Sequence, residues 1–146
     1  MVLIFEMNII FIVAPVFGYF LAGSLKFFLN GIRTKAWKLD NIGMGGLPST
    51  HNTITSSTFF TISFIEGFDS SASGVALMIC LIVAIDSMDL RRKLEKHAVL
   101  ISEELGKKNE AAKNIRKKLG HSPIEVLAGW LLGVAIGYFL MNFVHV

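Results

Sequence analysis

Two histidines have neighbours that suit nucleophilic or acid–base chemistry. His121 is followed four residues later by Glu125, within the segment GHSPIE at 120–125. A carboxylate at that spacing can accept a hydrogen bond from one ring nitrogen, which leaves the other nitrogen free as a nucleophile or base. His51 ends the segment GGLPSTH at 45–51, just before a long apolar run. A plainer alternative for the first pair is a capping histidine beside a solvated glutamate.

Four basic side chains elsewhere in the chain favour an anionic ligand. Lys26 and Arg33 are separated by six residues, and Arg91 and Arg92 follow Asp86. Arginine forks match phosphate oxygens, and a helix start offers backbone donors to an anion. The candidate cradle residues at such a start are Gly46, Ser49 and Thr50. We expect no metal or other cofactor, because there is no H-E-x-x-H motif or close cysteine pair.

The elements that must position these residues are predicted to be membrane helices. The chain has 146 residues, of which 53% are hydrophobic and 17% charged, so we expect a single apolar domain, 1–146. A span needs about 20 mostly apolar residues. The predicted fold is an all-α integral membrane protein with about four transmembrane helices, near 5–28, 49–66, 70–89 and 122–144. The first stretch lacks a basic n-region and a cleavage site, so we expect it to be kept as a span.

Positive charge predicts the topology. All 14 lysines and arginines lie in two segments, 26–38 and 91–118. The positive-inside rule makes both segments cytoplasmic, so the candidate site faces the cytoplasm and both termini lie outside. Apolar residues at three-to-four spacing within 91–119 predict a cytoplasmic amphipathic helix pair, broken near Gly106. The alternative is a basic loop held near anionic lipid headgroups.

Small and hydroxyl residues mark two of the predicted spans. The second span carries seven hydroxyl side chains between Thr53 and Ser63, and the last carries Gly129, Gly133 and Gly137 at four-residue spacing. Such residues let membrane helices approach closely and bond across the interface. We expect close helix packing here and consider a homodimer through the glycine face.

Four motifs in this order resemble the divergent branch of the phosphatidic acid phosphatase type 2 superfamily, which is related to acid phosphatases and vanadium haloperoxidases. The resemblance covers roughly residues 26–133. The motifs are Trp37 with GGLPSTH, GFDSS at 67–71, DSMDLRR at 86–92 and GHSPIEVLAG at 120–129.

The resemblance implies a phosphohistidine mechanism. It makes His121 the residue that attacks phosphorus, with Glu125 in place of the superfamily's aspartate. His51 matches the histidine of the P-S-G-H motif, which protonates the leaving oxygen. Lys26 and Arg33 reproduce the spacing of the K-x6-R-P motif.

This chain departs from the superfamily pattern at two points. Ile115 stands where the arginine of an S-R pair is expected, with Arg116 one residue out of register, so we expect Arg91 and Arg92 to supply the missing phosphate contacts. The superfamily core has six spans. Four spans imply a reduced scaffold or completion by a second subunit.

The predicted function is hydrolysis of a lipid phosphomonoester or diphosphate at the membrane surface. The substrate candidates are a polyprenyl phosphate or diphosphate, phosphatidate and phosphatidylglycerophosphate. The expected partners are this lipid phosphate and membrane lipids, without nucleic acid. One alternative is a non-catalytic protein that binds or transports a lipid phosphate, and another is a purely structural membrane subunit.

Overall fold

The computed structural model describes residues 2–35, 46–115 and 117–143, with side chains from residue 9 onward. Within these ranges the helices are α1 (Val2–Thr34), α2 (Thr50–Glu66), α3 (Ser71–Met88), α4 (Leu90–Leu105), α5 (Glu110–Lys113) and α6 (Pro123–Met141). The same ranges contain no strand, which confirms the predicted all-α fold. Trp37, Gly45 and Arg116 lie outside the described residues.

The helices are long and apolar enough for a membrane protein. Three described segments could cross a bilayer by length and composition: Ile9–Thr34, Ser71–Leu105 and Pro123–Met141. The 17 residues of α2 extend over about 25 Å at 1.5 Å per residue, within the range of short spanning helices. With α2 as a short fourth member, the bundle agrees with about four transmembrane helices.

Hydroxyl side chains join α2 to the three helices that surround it. α2 packs against α1, α3 and α6. A different serine reaches each neighbour: Ser56 Oγ donates to the Gly129 carbonyl at 3.2 Å, Ser57 Oγ to the Ala14 carbonyl at 3.1 Å and Ser63 Oγ to Ser73 Oγ at 3.0 Å. These bonds satisfy polar groups inside the bundle, as an apolar solvent requires. The hydroxyl-rich span is thus the packing centre.

The glycine stripe of α6 lies against α2 of the same chain. A Cβ atom on Gly129 would lie 2.9 Å from the Ser49 carbonyl oxygen, and one on Gly133 would lie 2.6 Å from Ser56 Cβ. At Gly137 the closest atoms, at 2.8 Å, belong to Phe60 and Thr61 of α2. The face that the sequence offered to a second copy is therefore covered within the chain. A homodimer stays a prediction without an assigned surface.

Substituting Gly133 tests this close approach. We expect Gly133→Ala to destabilise the protein by about 1–3 kcal/mol, because the added methyl group overpacks the contact with Ser56. The measurement is thermal unfolding of the detergent-purified protein. Gly74→Ala in α3 is the matched control, since a Cβ there meets nothing within 4 Å. Equal melting of the two variants would contradict the tight α2–α6 contact.

Candidate functional site

The start of α6 orients His121. Pro123 occupies the first helical turn and Ser122 is the N-cap, whose Oγ accepts from the Glu125 backbone N–H at 3.3 Å. The Glu125 carboxylate completes the capping box, because its Oε2 accepts the Ser122 N–H at 3.0 Å. The same oxygen lies 2.9 Å from His121 Nδ1. This contact favours a proton on Nδ1 and leaves Nε2 as the unprotonated nitrogen.

Burial and nearby charge keep the His121 ring neutral. The residue is only 7% exposed, and its backbone N–H donates to the Ser87 carbonyl at 3.0 Å. Burial lowers the pKa of His121 below its ordinary value, and the positive charges of Lys26 and Arg91 lower it further, while Glu125 acts in the opposite direction. A neutral imidazole near pH 7 is the form that can act as a nucleophile.

The start of α2 lies beside the start of α6. The backbone N–H of Ser49 donates to the Glu125 carbonyl at 3.0 Å, so Ser49 joins the two helices and its N–H is not available to a ligand. Ser49 is also the N-cap of α2, but its side chain does not cap the helix. The first-turn N–H groups of α2 therefore have no side-chain cap of their own, at the end where a helix favours negative charge.

Lys26 brings a buried positive charge to this helix start. It is 4% exposed, and its Nζ donates to Thr50 Oγ1 at 3.1 Å. Gly46 lies nearby against α1, with a φ of +137° that favours glycine, and a Cβ there would be 3.4 Å from Asn30 Oδ1. The predicted cradle thus has Thr50 beside a cation, while Gly46 shapes the chain before it.

His51 and Arg91 complete the group. His51 is exposed on the first turn of α2, within electrostatic reach of His121, Lys26, Arg91 and Asp86. Arg91 Nε donates to Asp86 Oδ2 at 2.7 Å, and both side chains are about one-third exposed. This bond uses only Nε. The terminal nitrogens of the Arg91 guanidinium make no hydrogen bond to the described part of the chain.

Two predicted phosphate ligands make no ion pair or hydrogen bond to the described residues of this group. Arg33 is exposed in the last turn of α1 and forms no ion pair or hydrogen bond with the described residues. Arg92 is exposed, and it packs against Gly120, where a Cβ would lie 2.5 Å from the Arg92 Cγ and 3.0 Å from its nitrogen. Neither is among the charges that act on His51 or His121. Their roles as phosphate ligands stay predictions.

Two residues that support the site were not predicted from the sequence. Asn52 is fully buried, and its Nδ2 donates to Ser49 Oγ at 2.9 Å and to Ser87 Oγ at 3.3 Å, which links α2 to α3. An amide next to His51 in an apolar span was the signal that could have found it. Glu95 Oε2 accepts the backbone N–H groups of Leu119 and Gly120. Among the many charges of α4, nothing in the sequence distinguished it.

Among the described residues, no group of three or more histidine, cysteine, aspartate or glutamate side chains is arranged to hold a metal ion. The site has nitrogen cations and two imidazoles beside a helix start, and Glu125 orients the imidazole of His121. Such a set can bind an anion and exchange protons with it.

Comparison with known protein families finds a match over most of the chain. A sequence profile described as the divergent PAP2 family matches residues 7–136. This chain belongs to the divergent PAP2 family. As a family member it is a membrane protein related to phosphatases, which confirms the family predicted from the four motifs.

One curated relative is similar along most of the chain. The uncharacterized membrane protein YuiD of Bacillus subtilis (strain 168) is 25% identical over 147 residues, covering 88% of this chain and 91% of that protein. No solved structure matches this divergent PAP2 chain significantly.

The depressed pKa of His121 predicts how this family member responds to acid. As the pH falls below about 6.5, His121 binds a proton in the unfolded chain but not in the folded chain. The free energy of unfolding therefore decreases progressively as the pH falls. We expect the melting temperature to fall less between pH 7.5 and 5.5 in His121→Asn than in wild type. His97→Asn, on the exposed side of α4, is the control, and its melting temperature should fall as much as that of wild type. An unaltered loss in His121→Asn would contradict the buried neutral imidazole.

Proposed function

We propose that this protein is a membrane lipid phosphatase that hydrolyses a lipid phosphomonoester or diphosphate through a phosphohistidine intermediate. The observation that carries the proposal is the 2.9 Å contact of His121 Nδ1 with Glu125, at the end of the bundle where Lys26 and Arg91 lie. An oriented neutral imidazole flanked by cations is suited to attack phosphorus. Positive charge in the loops supports a cytoplasmic site.

The reaction proceeds in two steps. In the first, His121 Nε2 attacks phosphorus, the bond from phosphorus to the lipid oxygen breaks, and His51, which holds a proton when the phosphate anion is bound beside it, gives that proton to the lipid oxygen. In the second, water attacks the phosphohistidine, the bond from Nε2 to phosphorus breaks, and His51 takes the proton from water. The products are inorganic phosphate and a lipid alcohol, or a lipid monophosphate when the substrate is a diphosphate.

Charge stabilisation comes from both sides of the site. Lys26 Nζ approaches from α1, and the terminal nitrogens of Arg91 are available because Asp86 holds only Nε. The first-turn N–H groups of α2 add a partial positive charge. Preorganised donors of this kind dominate phosphoryl transfer, and losing one costs about 100- to 1,000-fold in rate.

An apolar groove between α1 and α6 supports a substrate with a hydrocarbon tail. It is an open groove of about 240 Å³, lined by Phe17, Leu21, Leu132, Ala135, Ile136 and Phe139. Leu21 precedes Lys26 by about 7.5 Å along α1, and Leu132 follows Glu125 by about 10 Å along α6. A chain attached to a phosphate at the site therefore reaches the groove within one leaflet of the bilayer.

A second candidate function is binding or transport of a lipid phosphate without turnover. The observation that favours it is Ile115, which stands where the superfamily has an arginine. With that cation absent, the site keeps enough charge to hold a phosphate but has one donor fewer for the transition state.

A phosphate-release assay on the protein in detergent separates the two functions. The panel contains a polyprenyl phosphate, a polyprenyl diphosphate, phosphatidate and phosphatidylglycerophosphate. We expect wild type to release phosphate, His121→Ala to lose activity altogether, and His51→Ala to lose about 100- to 10,000-fold in kcat as its acid catalysis is removed.

The control for these variants is His97→Ala on α4, which should keep full activity. Turnover by His121→Ala at the wild-type rate would exclude the phosphohistidine mechanism. Binding of the lipid phosphates by wild type without release of phosphate would support the second candidate.

Filling the apolar groove tests whether it holds the hydrocarbon tail of the substrate. We expect Ala135→Phe to raise KM for long-chain phosphatidate about tenfold, since it displaces one or two buried methylene groups. KM for a short-chain phosphatidate should not change. Ala72→Phe, on the exposed surface of α3 outside the groove, is the matched control. An equal effect on both chain lengths, or in both variants, would remove the groove from the proposal.

A further inference from the structure

Glu95 makes two hydrogen bonds to the chain just before His121. It lies in the second turn of α4, and its Oε2 accepts the backbone N–H of Leu119 at 3.3 Å and of Gly120 at 3.1 Å. A carboxylate that accepts backbone N–H groups makes stronger hydrogen bonds than a neutral acceptor does. One side chain of α4 therefore holds the two residues that lead into the candidate nucleophile.

The same segment is held at two further points. The next backbone N–H, that of His121, donates to the Ser87 carbonyl of α3 at 3.0 Å. Gly120 packs directly on the start of α4, since a Cβ there would lie 3.0 Å from the nitrogen and 3.1 Å from the Cα of Arg92. Three consecutive N–H groups, from residue 119 to residue 121, are thus bound to the α3–α4 unit, while Glu125 of α6 holds the imidazole.

We propose that Glu95 is a positioning residue, which fixes the segment 119–121 on α4 and so keeps the His121 imidazole buried against Glu125. Its effect on catalysis rests on the proposed phosphatase function, whereas its effect on the environment of the ring does not. Without the carboxylate, two backbone N–H groups lose their acceptor and must turn to water, which opens the segment.

Opening the segment changes the titration of the ring. Burial is the largest cause that lowers the pKa of His121, so hydration of the ring returns that pKa towards its ordinary value. The other charged or titratable groups around the two histidines come from every neighbouring element: Lys26 of α1, His51 of α2, Asp86 of α3, Arg91 of α4, Lys118 and Glu125. These groups are left in place by a change at Glu95, so the shift reports the position of the segment.

The test measures the His121 ring by NMR in protein labelled with ¹⁵N-histidine, in detergent, with the signal assigned from His121→Asn. We expect the titration of Glu95→Ala to move to higher pH than that of wild type. Glu95→Gln should titrate close to wild type, because an amide oxygen can accept the same two N–H groups. Glu103→Ala, an exposed glutamate in the same helix, is the matched control and should leave the titration unchanged.

A kinetic measurement separates this role from general stability. We expect Glu95→Ala to lower kcat for lipid phosphate about tenfold or more with little change in KM, and Glu95→Gln to restore most of it. A phosphate-releasing wild type whose Glu95→Ala variant keeps both its titration and its kcat would overturn the positioning role and leave the phosphatase proposal standing. If Glu95→Ala shifts the His121 titration but wild type releases no phosphate, the positioning role stands and the phosphatase proposal is contradicted.

If Glu95→Ala does not fold, Glu95→Asp provides the same comparison with a carboxylate one methylene group shorter. A titration of His121 in Glu95→Asp that matches wild type would then overturn the proposal. A shift to higher pH in the folded variant would support it.

Discussion

The contact between the first turns of α2 and α6 is the constraint on which the candidate site depends. Ser49 donates to the Glu125 carbonyl at 3.0 Å, and the absence of a side chain at Gly129 lets α6 approach the Ser49 carbonyl. Glycine and hydroxyl residues make this approach favourable where no hydrophobic force drives helices together. As a result His51 and His121, which are far apart in the sequence, begin adjacent helices at one end of the bundle.

The backbone N–H groups at the starts of α2 and α6 are satisfied in different ways. α6 is closed by its own capping box, in which Glu125 caps the helix and orients His121 with one oxygen. α2 has no side-chain cap, and the buried ammonium of Lys26 lies beside its first turn. The closed start holds the candidate nucleophile, and the open start with its cation is the part suited to an anion.

Local features of the site were readable from the sequence because they depend on short spacing. Uncharged runs of membrane length predicted the helices, since every backbone polar group in a bilayer must be paired. Pro123, with Ser122 before it and Glu125 behind it, carries the signature of a capped helix start, and His121 lies within reach of that carboxylate. The motif order was sufficient to predict the divergent PAP2 family.

Tertiary structure decided which of these residues meet. Arg91 and Arg92 are adjacent in sequence but differ by about 100° around a helix, so Arg91 pairs with Asp86 near the histidines and Arg92 is exposed beside Gly120. Lys26 and Arg33 share a helix, yet about 10 Å of rise separates a buried cation from an exposed one. The sequence by itself determined helix type, helix starts and family through local periodicity and capping. The faces that each helix presents to its neighbours were decided by packing, because side-chain contact between helices depends on rotation and distance that spacing along one chain does not encode.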